Sequence, residues 1–178
     1  MDTLKHKLQR LGPLRPEAWD MICSLAKRIE VKLQRNVLRK TGSIAYLSEG
    51  LLKEYDQHER ELPAIINFIN QYQFFVTCKH YQHRYLEACM PCVVYQWNFD
   101  DLQKLYQRFN ELRPVYEALC AEYEAGALLR MRLLEMPAQE RIDAFRVFFR
   151  PSLPYLKKKD MANYLSINYS YLIDIWNY

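Results

Sequence analysis

The sequence predicts an α+β fold: an antiparallel β-roll first, then one long helix, then a small all-helical C-terminal unit. Three observations predict it. Short β-prone runs separated by turn signals fill residues 31–97, nothing β-prone follows Asn98, and apolar residues recur at heptad spacing through residues 115–133. The corresponding division is 1–112 for the roll, 113–135 for the long helix and 136–178 for the C-terminal unit.

The chain should open on a helix. Pro16-Glu17-Ala18 suits a helix start, because a proline in the first turn forfeits no hydrogen bond. Trp19, Ile22, Cys23, Leu25, Ala26 and Ile29 then recur at helical spacing. From Val31 the rhythm shortens, and strands are expected at 31–33, 37–38, 44–47, 51–55, 64–69, 85–88 and 92–97. Thr41-Gly42 and Glu49-Gly50 punctuate them, 56–60 reads as a charged hairpin tip, and the stretch between 70 and 84 reads as irregular. Strands this short suggest a small roll.

Asn98 can cap a helix whose first turn carries Asp100 and Asp101, both favourable at the positive end of a helix dipole. Arg113-Pro114 opens the long helix and Met136-Pro137 closes it. Within it Val115, Leu119, Glu122, Gly126, Leu129 and Leu133 follow an unbroken 4-3-4-3-4 spacing, flanked by a small-residue stripe at Ala118, Ala121 and Ala125. Such a seam can pair two copies, or it can pack on the chain's own roll. The remaining helices are expected at 138–149, 160–165 and 169–178, with Pro151 and Pro154 interrupting them. Only Ser166-Ile167-Asn168 separates the last two. Two short helices across a three-residue turn have the geometry of a helix-turn-helix, with Ala162 at the crossing and Leu165, Ile167, Leu172 and Ile175 as the shared apolar face.

Composition narrows the function classes. The 178 residues are 50% hydrophobic and 26% charged, the balance of a globular protein, and the net charge of +4 permits a polyanion partner without demanding one. Four glycines leave no Gly-rich phosphate loop. No apolar run approaches the roughly 18 residues of a membrane span, and residues 1–10 lack the apolar core of a signal peptide. A cytoplasmic protein without membrane contact is expected. Five cysteines are too sparse for a secreted disulfide framework.

Ala138-Gln139-Glu140-Arg141-Ile142, Phe148-Phe149-Arg150-Pro151 and Met161-Ala162-Asn163-Tyr164-Leu165-Ser166-Ile167 look like an Arg-bearing helix, a proline break and a helix-turn. With the order of parts, they resemble the Crp/Fnr family of transcription regulators over essentially the whole chain, nearest its divergent Bacteroidetes-type branch. Gly42 and Gly50 sit where that family turns between early strands. The resemblance implies a cyclic-nucleotide-binding-domain-like roll, a dimerisation helix, and a winged-helix-like, truncated helix-turn-helix unit. The family's effector cassette pairs Gly-Glu with a later Arg-Ser-Ala. The matching region, 70–88, has no glycine, and its one arginine, Arg84, is followed by Tyr85-Leu86. A cyclic phosphate wants backbone N–H groups from a tight turn and an arginine counter-charge. The pocket should be absent or refitted with aromatic side chains, and Phe74, Phe75, Arg84 and Tyr85 are its candidate residues.

Cys78, His80, His83, Cys89 and Cys92 are the one metal-like constellation, since thiolates and imidazoles suit zinc or an iron–sulfur cluster. A lone C-x-x-C is weak, and in a roll Cys92 would serve as a small hydrophobe, so neither metal nor cofactor is expected. No nucleophile elbow, HExxH or P-loop is present, and His80, His83 and Glu87 form only a loose acid–base grouping. The expected function is therefore not enzymatic. It is that of a dimeric DNA-binding regulator without a working cyclic-nucleotide site. Lys157, Lys158 and Lys159 would contact phosphates, and Asn168, Tyr169, Ser170, Tyr171, Asp174 and Asn177 would face bases. The last helix departs from its family in carrying an Asp and no cation. The alternative is a relative that binds protein or a small molecule, or senses redox, without specific DNA binding.

Overall fold

The computed structural model describes residues 1–78 and 83–176. Two helices open the chain, α1 (Asp2–Leu11) and α2 (Pro16–Leu25). Eight strands follow: β1 (Lys27–Val31), β2 (Asn36–Val37), β3 (Ile44–Glu49), β4 (Leu52–Asp56), β5 (Ala64–Ile69), β6 (Phe74–Val76), β7 (Arg84–Ala88) and β8 (Cys92–Trp97). The rest is helical: α3 (Phe99–Arg108), α4 (Leu112–Leu134), α5 (Ala138–Phe148), a 3-10 turn at Leu153–Tyr155, α6 (Lys158–Leu165) and α7 (Tyr169–Trp176).

The strands form two four-stranded sheets, ordered β1-β8-β3-β6 and β2-β7-β4-β5, and every pairing between strands is antiparallel. Two elements depart from the sequence reading. α1 has only Leu4 and Leu8 buried, too few to raise a periodic signal in advance. β6 is three residues long and pairs Val76, Phe75 and Phe74 with Ile44, Ala45 and Tyr46, inside the stretch read as irregular. A third difference is a boundary. Ile29 continues the helical spacing of α2, but α2 ends at Leu25 and Ile29 pairs with Val94 in β1, because tertiary pairing overrides a short periodic signal.

Two hydrophobic cores result. The first lies between the sheets and beneath α1–α4, around Tyr46, Leu47, Leu52, Phe75 and Leu86. The second joins Leu51, Ile65 and Phe68 of the roll to Leu133 and to Ile142, Phe145, Phe149, Tyr164 and Leu165 of the C-terminal helices. Residues 136–176 thus share a core with the roll instead of enclosing a separate one. Phe68, Phe145, Phe149 and Tyr164 pack ring on ring at 4.6–6.1 Å, favourable tilted and edge geometries. Among the described residues no helix is long and apolar enough to cross a membrane.

Candidate functional site

The effector pocket was expected within residues 70–88, but the cleft of the roll that faces α4 is occupied in part by side chains from elsewhere in the chain. Arg39, which follows β2, spreads its guanidinium over four acceptors: Thr77 Oγ1 at 3.0 Å, Glu54 Oε1 at 2.8 Å, the Val76 carbonyl at 2.5 Å and the Tyr123 hydroxyl at 3.3 Å. The Tyr123 hydroxyl in turn donates to Glu54 Oε1 at 2.5 Å. The Arg39 and Glu54 side chains are only 7% and 1% exposed. Burial, reinforced by the Glu54 carboxylate, pushes the Tyr123 hydroxyl up, which keeps it a donor. An open cleft of about 230 Å³ remains, lined by Glu54, Arg84, Tyr123, Glu124, Ala127 and Leu128. Two of its six lining residues are carboxylates, a poor setting for a phosphate.

The four expected pocket residues do not converge there. Phe74 and Phe75 are buried core residues of β6. Tyr85 stacks on Tyr55 with ring centres 4.8 Å apart. Arg84 alone lines the cleft, at the start of β7 opposite Asp56.

Cys89 and Cys92 serve packing. Burial pushes the Cys89 thiol up to about 12 and the Cys92 thiol upward as well, so both stay protonated near neutral pH, unlike metal-ligating or nucleophilic thiolates. Cys92 Sγ lies 3.1 Å from the Met90 carbonyl and fills the underside of the β3–β4 turn. A Cβ on Gly50, whose φ is +104°, would stand 2.4 Å from that sulfur. Cys78 is exposed, and His83 stacks against His58 at 4.8 Å. His80 lies outside the described residues. Among those described, no three His, Cys, Asp or Glu side chains are grouped to hold a metal ion.

The heptad seam of α4 is turned inward, which corrects its reading as a pairing face. Val115 and Leu119 enter the first core, and Leu129 and Leu133 pack in the second. Glu122 pairs with Lys7 of α1 at 2.5 Å. Gly126 admits the buried Asn67 of β5: a Cβ there would meet the Asn67 amide at 2.6–2.8 Å. The glycine therefore serves approach of the sheet, not of a second helix. Ala118 is half-buried, and the outward face of α4 carries Ala121, Ala125, Leu128 and Met131 beside Glu124 and Arg132.

α6 and α7 meet across Ser166-Ile167-Asn168. Ser166 takes the left-handed conformation, and the Ile167 N–H donates to the Ala162 carbonyl at 3.0 Å. Asn168 Oδ1 accepts the Ser170 N–H at 2.8 Å, starting α7. Leu165 and Leu172 are fully buried between them. Polar ties fix α6 to the rest. Lys53 of β4 reaches Asp160 at 2.9 Å as well as Glu87 at 3.0 Å, Asn163 binds the Ile65 N–H and the Pro63 carbonyl, and Arg130 Nε donates to the Tyr164 carbonyl at 2.9 Å. Arg141 donates to the carbonyls of Leu134, Met136 and Leu165, closing the C-terminal ends of α4 and α6 together.

Of the residues expected to meet DNA, Lys157, Lys159, Asn168, Tyr169, Ser170 and Tyr171 are exposed, as is Asp174. Lys158 is half-buried, with its ammonium 4.3 Å from the Trp176 ring centre. Asn177 lies outside the described residues. Sequence reasoning missed Arg39, Lys53, Glu54, Tyr123 and Asn163. Its one available signal was Lys53-Glu54, two charges in the middle of an otherwise apolar strand.

No protein-family model and no curated sequence matches the chain. Solved structures do. FixK2 from Bradyrhizobium japonicum matches with a TM-score of 0.71 at 15% identity, covering 85% of this chain and 83% of FixK2. A putative transcriptional regulator of the Crp/Fnr family from Eubacterium rectale matches with a TM-score of 0.69 at 11% identity, over 93% and 83% of the two chains. A cyclic nucleotide-binding domain containing protein from Listeria monocytogenes gives 0.68 at 12% identity, over 99% and 88%. The fold is thus that of Crp/Fnr-type regulators, as the sequence resemblance implies.

Proposed function

We propose that the chain is a dimeric DNA-binding regulator of the Crp/Fnr type whose cleft beneath α4, part-filled by its own side chains and lined by Glu54 and Glu124, does not take a cyclic nucleotide. The observation that carries this reading is the presentation of α7. Its apolar side is clamped by Leu165 and Leu172, while Asn168, Tyr169, Ser170 and Tyr171 in its first turn face outward beside the exposed Lys157 and Lys159. That is the arrangement by which a second helix enters a major groove. With two exposed lysines per subunit, binding rests on few phosphates, and the slope of log K against log salt should be about −2 to −4 for a dimer. Fluorescence anisotropy on random and genomic fragments at several salt concentrations tests this. Lys157→Ala with Lys159→Ala should weaken all fragments alike, and loss of all measurable DNA binding in the wild type would overturn the reading. Asp174 on α7 favours the second reading, a protein-binding relative, and the same titration separates the two.

Pairing would use the outward face of α4. Leu128→Glu with Met131→Glu should give monomers that remain folded, and a wild type that sediments as a monomer at tens of micromolar (order of magnitude from) removes the dimer from the proposal. Loss of cyclic-nucleotide binding is tested by calorimetry with cyclic AMP and cyclic GMP. A dissociation constant tighter than about 10 micromolar, worth roughly 7 kcal/mol, would show an open site instead.

A further inference from the structure

We propose that the groove between the C-terminal ends of α5 and α7 docks an acidic, apolar peptide segment of a partner protein. Arg146, Val147 and Arg150, Leu153 of the 3-10 turn, and Trp176 line it. Two independent properties of this surface point to that occupant.

The first is exposed apolar area. Of the groove's own lining Val147 is 74% exposed, and Leu153 and Trp176 are each only half-buried. Clustered apolar side chains left in water mark contact surfaces, and such surfaces are enriched in aromatic residues and arginine. The second is charge without enough counter-charge. The Arg146 guanidinium stands 4.5 Å from the Trp176 ring centre, and the Lys158 ammonium stands 4.3 Å from the same ring. Arg146 otherwise reaches the Ile175 and Trp176 carbonyls and Asp143, its single carboxylate, at 3.5 Å. Neither Lys158 nor Arg150 has a carboxylate partner among the described residues. Burial and the neighbouring Arg146 charge lower the Lys158 ammonium from its ordinary range, as crowding of like charges requires. An incoming carboxylate relieves that crowding.

An acidic segment with Leu or Phe at intervals of three or four residues satisfies both properties. Duplex DNA satisfies one: its phosphates suit the cations, but its backbone offers Val147, Leu153 and Trp176 nothing to pack against. The groove also lies at the far end of α7, about 10 Å along the helix from Tyr169 at 1.5 Å per residue. It stays open when the first turn of α7 is engaged, and it does not depend on whether that turn reads DNA.

The test is selection of a random 12-residue peptide display library on the full chain, followed by anisotropy titration of the selected peptides after synthesis. The expected result is a consensus of Asp or Glu interleaved with Leu, Phe or Trp. Binding of such peptides should fall tenfold or more in Val147→Asp and in Arg150→Glu, two exposed positions whose variants are checked for an unchanged circular dichroism spectrum. A library that enriches no acidic-apolar consensus, variants that bind the selected peptides undiminished, or displacement of the peptides by a random DNA duplex would each overturn the proposal.

Discussion

Lys53 and Glu54 are neighbours on β4, both buried, and they tie opposite faces of one sheet to different helices. Glu54 faces the roll interior, where Arg39 and Tyr123 of α4 converge on a single carboxylate oxygen. Lys53 faces the C-terminal helices, where its ammonium is shared between Asp160 of α6 and Glu87 of β7. The alternation of side chains along a strand puts them there. What differs is redundancy. Without Glu54, the guanidinium of Arg39 would stay buried with only neutral acceptors among the partners described above. Without Asp160, Lys53 still has Glu87, and that side chain is 24% exposed, so water can help. Among the contacts described above, Arg39 meets one carboxylate and Lys53 meets two.

This difference can be broken most forcefully at Glu54. Glu54→Ala should cost about 3–5 kcal/mol, the usual penalty for stranding a buried charge, read from urea unfolding. Tyr123→Phe keeps the ion pair and removes the hydroxyl's hydrogen bonds to Glu54 and Arg39, the second of them long, so a loss of about 1.5–3 kcal/mol is expected in the same measurement. Asp160→Asn should cost least of the three, about 1 kcal/mol, because its partner retains a second carboxylate. A loss at Asp160 equal to that at Glu54 would contradict the comparison.

pH sharpens it further. Burial works to lower the Lys53 ammonium, but hydrogen bonds to Tyr55, Asp160 and Glu87 outweigh it, and the net shift is upward. A group raised in the folded state contributes fully below its unfolded value, about 10.4 for lysine, and loses that contribution as pH climbs toward the folded value. Stability of the wild type should therefore fall more steeply above about pH 10.4 than that of Lys53→Met. A smaller effect is expected at Gly126. Gly126→Ala gains helix propensity but presses a methyl on the Asn67 amide, for a net loss of about 1 kcal/mol. Adding Asn67→Ala should recover part of it, and the double-mutant cycle reads the contact directly.

The elements legible in the sequence were those with long, one-signed patterns. Strands at 64–69 and 92–97 have the expected bounds, and α4 starts one residue before its expected position, because an apolar run or a proline marks each boundary. β6 and α1 were illegible because three residues carry no period and two leucines barely make one. The seam through Val115 and Leu133 was legible as a seam but not as to direction. Over three heptads, a 3.5-residue repeat that faces a second helix and a 3.6-residue repeat that faces a sheet differ by too little to separate. The sequence pattern points to residues 70–88 for the cleft, whereas the arginine and carboxylate that occupy it come from residues 39 and 54. Only the folded roll brings those positions under α4.

Asn163 has a consequence beyond holding α6 in place. β5 is the last strand of its sheet, and all six of its residues, Ala-Ile-Ile-Asn-Phe-Ile, are buried. Its outer rim of N–H and C=O groups would be a template for strand addition by another molecule, and a segment with this apolar content is the kind that stacks into fibrils. The Asn163 amide occupies that rim as a backbone would, accepting from the Ile65 N–H at 2.6 Å and donating to the Pro63 carbonyl at 3.0 Å. One side chain on a short helix thus imitates a neighbouring strand, and any event that lifts α6 from the roll also bares a sticky edge. The docking of α6 is in that sense a guard on the protein's solubility.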